Sequence, residues 1–504
     1  MKEFIGEHDN NKIKVLDFLI NENKSVNMSE ICSATQLSYK TVRSVIDSFE
    51  ENTYIDKKNL EIYYNKVGKI ESVKLSNSSH VDVSFFYLEK SILFIMIKEL
   101  FLKGRVENKY ICENYYISTT TCIRYKKKLR DLLESFGLEM SVNGELKSEE
   151  YRIRNFFLHF FSNASSNWIF SNEAYNFLEH SLDVEFPAIF QMDAAQKELM
   201  RLLLYITIKR NSQGYVLVKK RQIDLEMKGK LLKIYTNISN YIINYFPYFE
   251  NKPSEIDYLF VSMLRIQVIR MEKNAEENQL IVNIKNTPNF DVICNSLIDL
   301  IIGSFFKNNK KNHNFIRISV TLFLIYAIAS FHDTRRFFYE YEEEVYTKRN
   351  VYEDELFKRV TKIVENWESE HDVFSRLLNI RGEKNQISFK RQVYLLVYSL
   401  ICRLEPVQNK EKVKIYVQNS KVYIADIIRR KIETIFSDKV TILDVYSSDI
   451  DLFVTDKEYK VTDISSNKVF VQTFSDCYAI HRLIEAIDNE ILNKVNSAPF
   501  KIDN

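Results

Sequence analysis

Glycine, proline and tryptophan are scarce in this chain, at 9, 6 and 2 residues of 504. So few glycines leave no backbone cradle for phosphate: neither GxGxxG nor GxxxxGKS/T occurs, and HExxH and GxSxG are absent as well. Nucleotide-dependent, zinc-protease and serine-hydrolase chemistry are thereby set aside, so an enzyme is not expected and no cofactor is called for. The six cysteines, Cys32, Cys112, Cys122, Cys294, Cys402 and Cys477, stand singly, with no CxxC pair and no histidine at zinc-ligand spacing. They read as reduced core residues, and no metal site is expected. Long hydrophobic runs are missing too: Ile92 to Ile97 and Val320 to Ser330 fall short of the ~20 residues that span a bilayer. The first residues, Met1 to Asp9, carry no apolar signal region. A cytoplasmic location and no membrane partner are the expectation.

A surplus of one charge is also lacking, because 70 Lys and Arg oppose 68 Asp and Glu for a net charge of +2. Such a chain does not coat a polyanion, and any binding of one must come from a local face. What is abundant is core material. Apolar residues make up 45% and aromatic residues 13% of the chain, with 35 Phe and 30 Tyr. At this length more than one core is needed, so a folded, multidomain, mainly helical protein is predicted.

One stretch breaks the charge balance. Ser118-Thr-Thr-Thr-Cys-Ile-Arg-Tyr-Lys-Lys-Lys-Leu-Arg130 holds five cations and no carboxylate, which points at phosphate. Its hydroxyl run suits a helix start, and a short segment from Glu107 to Tyr116 precedes it, so the pair reads as a helix-turn-helix. The arrangement occurs earlier as well: Met28 to Thr35, a turn at Gln36-Leu37, then Ser38 to Phe49. In the later unit the helical period sends Cys122, Ile123, Leu129, Leu132, Leu133 and Phe136 inward. Ser118, Thr119, Thr120, Arg124, Lys126, Lys127, Lys128 and Arg130 are the candidate DNA contacts, with residues at the helix start nearest the base edges and the later cations on phosphates. In the earlier unit Ser38, Lys40, Thr41 and Arg43 are the candidates, over a core of Leu37, Val42, Val45, Ile46 and Phe49.

Each unit is followed by a hairpin signal. Leu60 to Tyr64 and Ile70 to Leu75 alternate around Gly68, and Leu138 to Val142 meets Glu145 to Lys147 through Asn143-Gly144. These complete two winged helix-turn-helix units, 1–78 and 79–150, with Phe85 to Leu102 read as one helix. From about 150 to 405 the pattern is almost continuous amphipathic helix, including Leu225 to Tyr245, and divides into bundles at 151–284 and 285–406. Beyond Pro406, strands at Lys412 to Val417, Val440 to Val445, Leu452 to Val454 and Lys468 to Gln472 alternate with helices. A small α/β domain over 407–504 is predicted.

This order resembles the Mga/RofA/AtxA family of transcription regulators from Gram-positive bacteria. The resemblance implies two amino-terminal helix-turn-helix units, two helical PTS regulation domains (PRDs) and a carboxy-terminal domain like the EIIB component of sugar phosphotransferases. It further implies binding to double-stranded promoter DNA, cooperation with RNA polymerase, a homodimer supported by the carboxy-terminal domain, and phosphorylation of PRD histidines by the phosphocarrier HPr. His332, followed by Asp333-Thr334-Arg335-Arg336, is the first phosphorylation candidate, with His371, His159 and His180 behind it. The corresponding zone of the first bundle, Ile206 to Tyr215, holds no histidine. Gln418-Asn419-Ser420 follows the first strand of the α/β domain where an active EIIB carries its cysteine. Interaction rather than phosphate transfer is therefore that domain's expected task. The rival reading is an RNA-binding PRD antiterminator or a phosphorelay scaffold; the paired wings and cationic third helices favour DNA.

Overall fold

In the computed structural model of the protein the described residues are 2–21, 25–50, 60–67, 70–75, 80–164, 193–217, 223–228, 230–265, 279–284, 290–306, 313–331, 355–371, 383–404, 412–447, 449–459, 467–473 and 476–497. The fold is mainly helical, with helix-turn-helix domains first and a small sheet last. Helices α1 (Glu7–Asn21), α2 (Met28–Thr35) and α3 (Tyr39–Glu50) lead into the antiparallel pair β1 (Leu60–Tyr64) and β2 (Ile70–Leu75). Helix α2 begins where it does because Asn27 and Glu30 cap one another: Asn27 Oδ1 accepts from the Glu30 amide and Glu30 Oε2 accepts from the Asn27 amide.

The expected single helix from Phe85 to Leu102 is two, α4 (His80–Leu88) and α5 (Ile92–Lys103). Ser91 is the reason: its hydroxyl accepts from the Phe94 amide and donates to the Phe4 carbonyl, starting a new helix and tying it to the amino terminus. Then come α6 (Asn108–Tyr115) and α7 (Thr119–Ser135), followed by a short hairpin bridged at Met140 and Leu146. No break in packing occurs at residue 150. Helix α8 (Glu150–Ala164) lays Phe156, Phe157, Phe160 and Phe161 into the same core as Phe4, Phe94, Phe101 and Phe136, with Phe4 and Phe160 edge to face at 5.0 Å.

Helices α9 (Ala194–Ser212), α10 (Lys230–Tyr245) and α11 (Pro253–Arg265) continue this core. The reading of Leu225 to Tyr245 as one helix is corrected, because Ile223–Lys228 is strand β3, paired antiparallel with β4 (Gln279–Ile284). Its partner lies some fifty residues away, and local periodicity cannot see such a pairing. Helices α12 (Phe290–Phe305), α13 (His313–Phe331), α14 (Glu355–His371) and α15 (Glu383–Leu404) form a second group. Helix α13 serves both cores: Ile318 and Leu322 join the first, Ile316, Val320 and Leu324 the second. Residues two apart lie on nearly opposite helix faces, so α13 is sandwiched.

The last part is a parallel sheet ordered β6-β5-β7-β8, formed by β5 (Val413–Gln418), β6 (Val440–Leu443), β7 (Leu452–Thr455) and β8 (Asn467–Phe470). Helices α16 (Val422–Phe436) and α17 (Cys477–Ser497) pack on it, and α16 also packs on α15, so this sheet shares its core with the second helical group. Among the described residues no helix is long and apolar enough to cross a membrane.

Candidate nucleic-acid interface

The two helix-turn-helix units are copies displaced by 80 residues: Gln36, Ser38 and Thr41 become Tyr116, Ser118 and Thr121. Gln36 (φ 57°) and Tyr116 (φ 52°) both adopt the left-handed conformation that ends the second helix and swings the chain into the third. The third helices start on the same cap. Ser38 Oγ accepts from the Thr41 amide at 3.2 Å and Ser118 Oγ accepts from the Thr121 amide at 3.1 Å. Each serine hydroxyl also meets its threonine hydroxyl, at 2.8 and 2.9 Å. Ser38, Thr41 and Ser118 thus build the helix start as caps.

The sequence-derived contacts divide once side chains are placed. Thr119, Thr120, Arg124, Lys127 and Lys128 of α7 are exposed, as is Lys40 of α3. Arg43 is half-buried and its Nε donates to Asp47 at 2.9 Å, so its charge is matched within its own helix. Arg130 is half-buried, and Asp131 and Glu134 beyond it are exposed anions. The cationic face of α7 therefore ends at Lys128.

Lys126 is a correction. It is 8% exposed, and its ammonium donates to the Val106 carbonyl at 3.1 Å and to Asn108 Oδ1 at 3.3 Å. Burial lowers its pKa from the ordinary lysine value. The repeat explains the position, since Lys126 occupies the place of Ile46, a fully buried core residue of the first unit. Comparing the units at that spacing would have found it in the sequence. The wing closes over the same spot: a Cβ on Gly144 (φ +88°) would lie 2.7 Å from the Val106 carbonyl and 2.9 Å from Lys126 Nζ, so only glycine fits. Lys126 is a post joining α6, α7 and the wing.

Ile123 is the opposite correction. Expected in the core, it is 54% exposed on the second turn of α7. Cys122 beside it takes the buried position, and burial followed by the neighbouring Cys112 pushes its thiol up to about 11.

A buried polar joint holds this module against α8, α9 and α11. Arg154, wholly buried, donates from both terminal nitrogens to Glu255, from Nε to Glu150 Oε1 at 2.9 Å and from Nη2 to the Tyr215 carbonyl at 3.0 Å. Arg210 grips the other side of Glu150, with Nε to Oε1 at 2.9 Å and Nη2 to Oε2 at 2.7 Å. Burial opposes the charge on Arg154, but Glu255 and Glu150 raise its pKa above the usual guanidinium value. The segment so fixed reaches the helix-turn-helix module through Gln213, whose amide donates to the Phe101 and Leu102 carbonyls at the end of α5. This joint fills the zone Ile206 to Tyr215, where no histidine stands. Sequence reading missed it because isolated charges on amphipathic helices look solvated.

Among the other histidines, His159 is buried on α8 and so is closed to a phosphoryl donor. His371 ends α14, while His180 and His332 lie outside the described residues. After β5, Asn419 Nδ2 donates to the Val471 and Gln472 carbonyls, and Ser420 Oγ donates to Asp456 Oδ2 at 2.5 Å. Side chains thus fill the loop in which a phosphate would need open backbone amides. Among the described residues no group of His, Cys, Asp and Glu is arranged to hold a metal ion.

Comparison with known families divides the module at the same place as the repeat. Residues 7–66 match the M protein trans-acting positive regulator (MGA) HTH domain, and residues 76–161 match the Mga helix-turn-helix domain. The second match runs into α8, as the shared phenylalanine core does. A search of curated proteins returned no significant match.

Proposed function

We propose that this chain, which belongs to the Mga-like family through its two amino-terminal domains, regulates transcription by gripping duplex promoter DNA mainly with its second helix-turn-helix unit. The supporting observation is the exposed face of α7, where Thr119 and Thr120 at the capped start are followed by Arg124, Lys127 and Lys128 with no carboxylate before Asp131. A helix start carrying hydroxyls suits base edges, and cations one turn later suit the flanking phosphates. The first unit adds Lys40, its Arg43 being matched by Asp47. Gel shift of the full chain on duplex DNA against RNA of the same sequence tests the reading, with preference for DNA expected. Loss of all duplex binding overturns it.

Lys126 separates true contacts from structural cations. Lys126→Met is expected to leave the salt dependence of DNA binding unchanged, whereas Lys127→Ala lowers the slope of log affinity against log salt by about 0.9. Titration at four or five salt concentrations reads this directly. A lowered slope in Lys126→Met would place that ammonium at the DNA.

The finer assignment follows the family resemblance. The two helical groups act as PRDs over 151–284 and 285–406, the residues 407–504 as an EIIB-like domain, and HPr is the donor to His332, the residue after Phe331 in the sequence. In support, α13, the helix that precedes His332 in the sequence, packs into both cores through Ile316 to Leu324. Phosphate on His332 is expected in mass spectra of the chain from sugar-grown cells; its absence on every sugar would remove the phosphotransferase link. The α/β domain, with Asn419 and Ser420 where a phosphate-carrying cysteine would stand, serves homodimerisation, and RNA polymerase is the partner at the promoter.

A further inference from the structure

We propose that Ile123 packs against the C5-methyl group of a thymine in the major groove and makes α7 the helix that reads sequence. This rests on the DNA-binding reading above. A lone exposed isoleucine is unremarkable on an ordinary surface. Its surroundings here are not ordinary. Ile123 lies on the second turn of a helix whose exposed side otherwise carries Thr119, Thr120, Arg124 and Lys127, so the apolar group sits between the hydroxyls of the helix start and the cations of the next turn. Docking that brings the helix start to base edges and the cations to phosphates carries Ile123 into the groove floor between them. Thymine is the base that offers an apolar group there, its C5-methyl.

The copy in the first unit supplies an independent contrast. Adding 80 to Arg43 and Asp47 gives Ile123 and Lys127. At these positions the first unit pairs its charges within the helix at 2.9 Å. The second unit has neither the carboxylate nor the pair, and presents a branched alkyl group with a lysine one turn on. One fold has thus been given a self-satisfied face in one copy and an apolar contact flanked by cations in the other. Burying one methyl group changes affinity by a few-fold, at the lower edge of what distinguishes one base pair from another.

The test uses the full chain. Duplexes bound from a randomised pool are recovered, and each thymine in a recovered site is replaced singly by deoxyuridine, which removes the methyl and leaves base pairing intact. At one thymine under α7 the replacement is expected to weaken binding by about 3- to 5-fold. With Ile123→Ala, whose parent side chain is outside the core, the same replacement is expected to have no effect, and binding to the thymine duplex falls by a similar factor. Retention of the full methyl effect in Ile123→Ala overturns the proposal, as does a parent protein indifferent to every replacement. A changed oligomeric state with unchanged DNA affinity also overturns it and assigns Ile123 to contact between copies. Failure to recover any duplex defeats the DNA-binding reading itself and is distinct from these outcomes.

Discussion

Glu255→Ala is expected to destabilise the amino-terminal half of the protein by about 3–5 kcal/mol, the cost of leaving a buried guanidinium without its partner. Arg154 and Glu255 are both wholly inaccessible to solvent, and Glu255 takes both terminal nitrogens of Arg154 as well as the Leu217 amide at 2.8 Å. Once Glu255 is gone, Glu150 must serve Arg154 and Arg210 alone. In a cooperative unit of this size the loss corresponds to a fall in melting temperature of about 6–20 °C, readable by differential scanning fluorimetry. The double variant Arg154→Met, Glu255→Leu is expected to recover much of it, because apolar groups of similar size fill the space without a charge to desolvate. A shift within about 1 °C for Glu255→Ala would mean the pair is hydrated. The same variant loosens Tyr215 and Gln213, so looser attachment of α5, and weaker DNA binding below the transition, accompany the change.

The second large effect is expected from Arg124→Ala, Lys127→Ala and Lys128→Ala combined. Each phosphate contact contributes about 0.9 to the slope of log affinity against log salt, so three contacts lower the slope by about 2.7. The loss should fall alike on selected and random duplexes, because phosphates carry no sequence information. All three side chains are exposed, so folding is unaffected and circular dichroism of the variant should match the parent. An unchanged slope would take α7 off the DNA and leave Lys40 of α3 as the point to examine. A loss confined to selected sequences would instead make these cations base contacts.

Much of this architecture was legible from local pattern. Both helix-turn-helix units, the strands Leu60–Tyr64 and Ile70–Leu75 and the terminal alternation of strand and helix follow from periodicity, capping residues and turn signals within a dozen residues. The misses have different causes. Pairing of β3 with β4 depends on residues far away in the chain, and the break at Ser91, a local cap on the Phe94 amide, is reinforced by its hydroxyl reaching the distant Phe4 carbonyl. In the site, three adjacent lysines turn about 100° apart on a helix, so one of Lys126, Lys127 and Lys128 had to face elsewhere. Periodicity placed Ile123 inward and left Lys126 among the contacts; packing reversed both.

The amino-acid sequence by itself determined the class of molecule: a mainly helical chain without catalytic motifs, carrying two helix-turn-helix units and one concentrated cationic face. Those properties reside in composition and short-range pattern. Tertiary structure decided which of the cations face solvent, because burial at the position of Ile46 turned Lys126 into an internal post, while Cys122 took the core position beside Ile123 and left Ile123 on the surface. It also decided how the module is held, since Arg154, Glu150, Arg210 and Glu255 come from three separate helices and acquire their meaning only when those helices exclude water together.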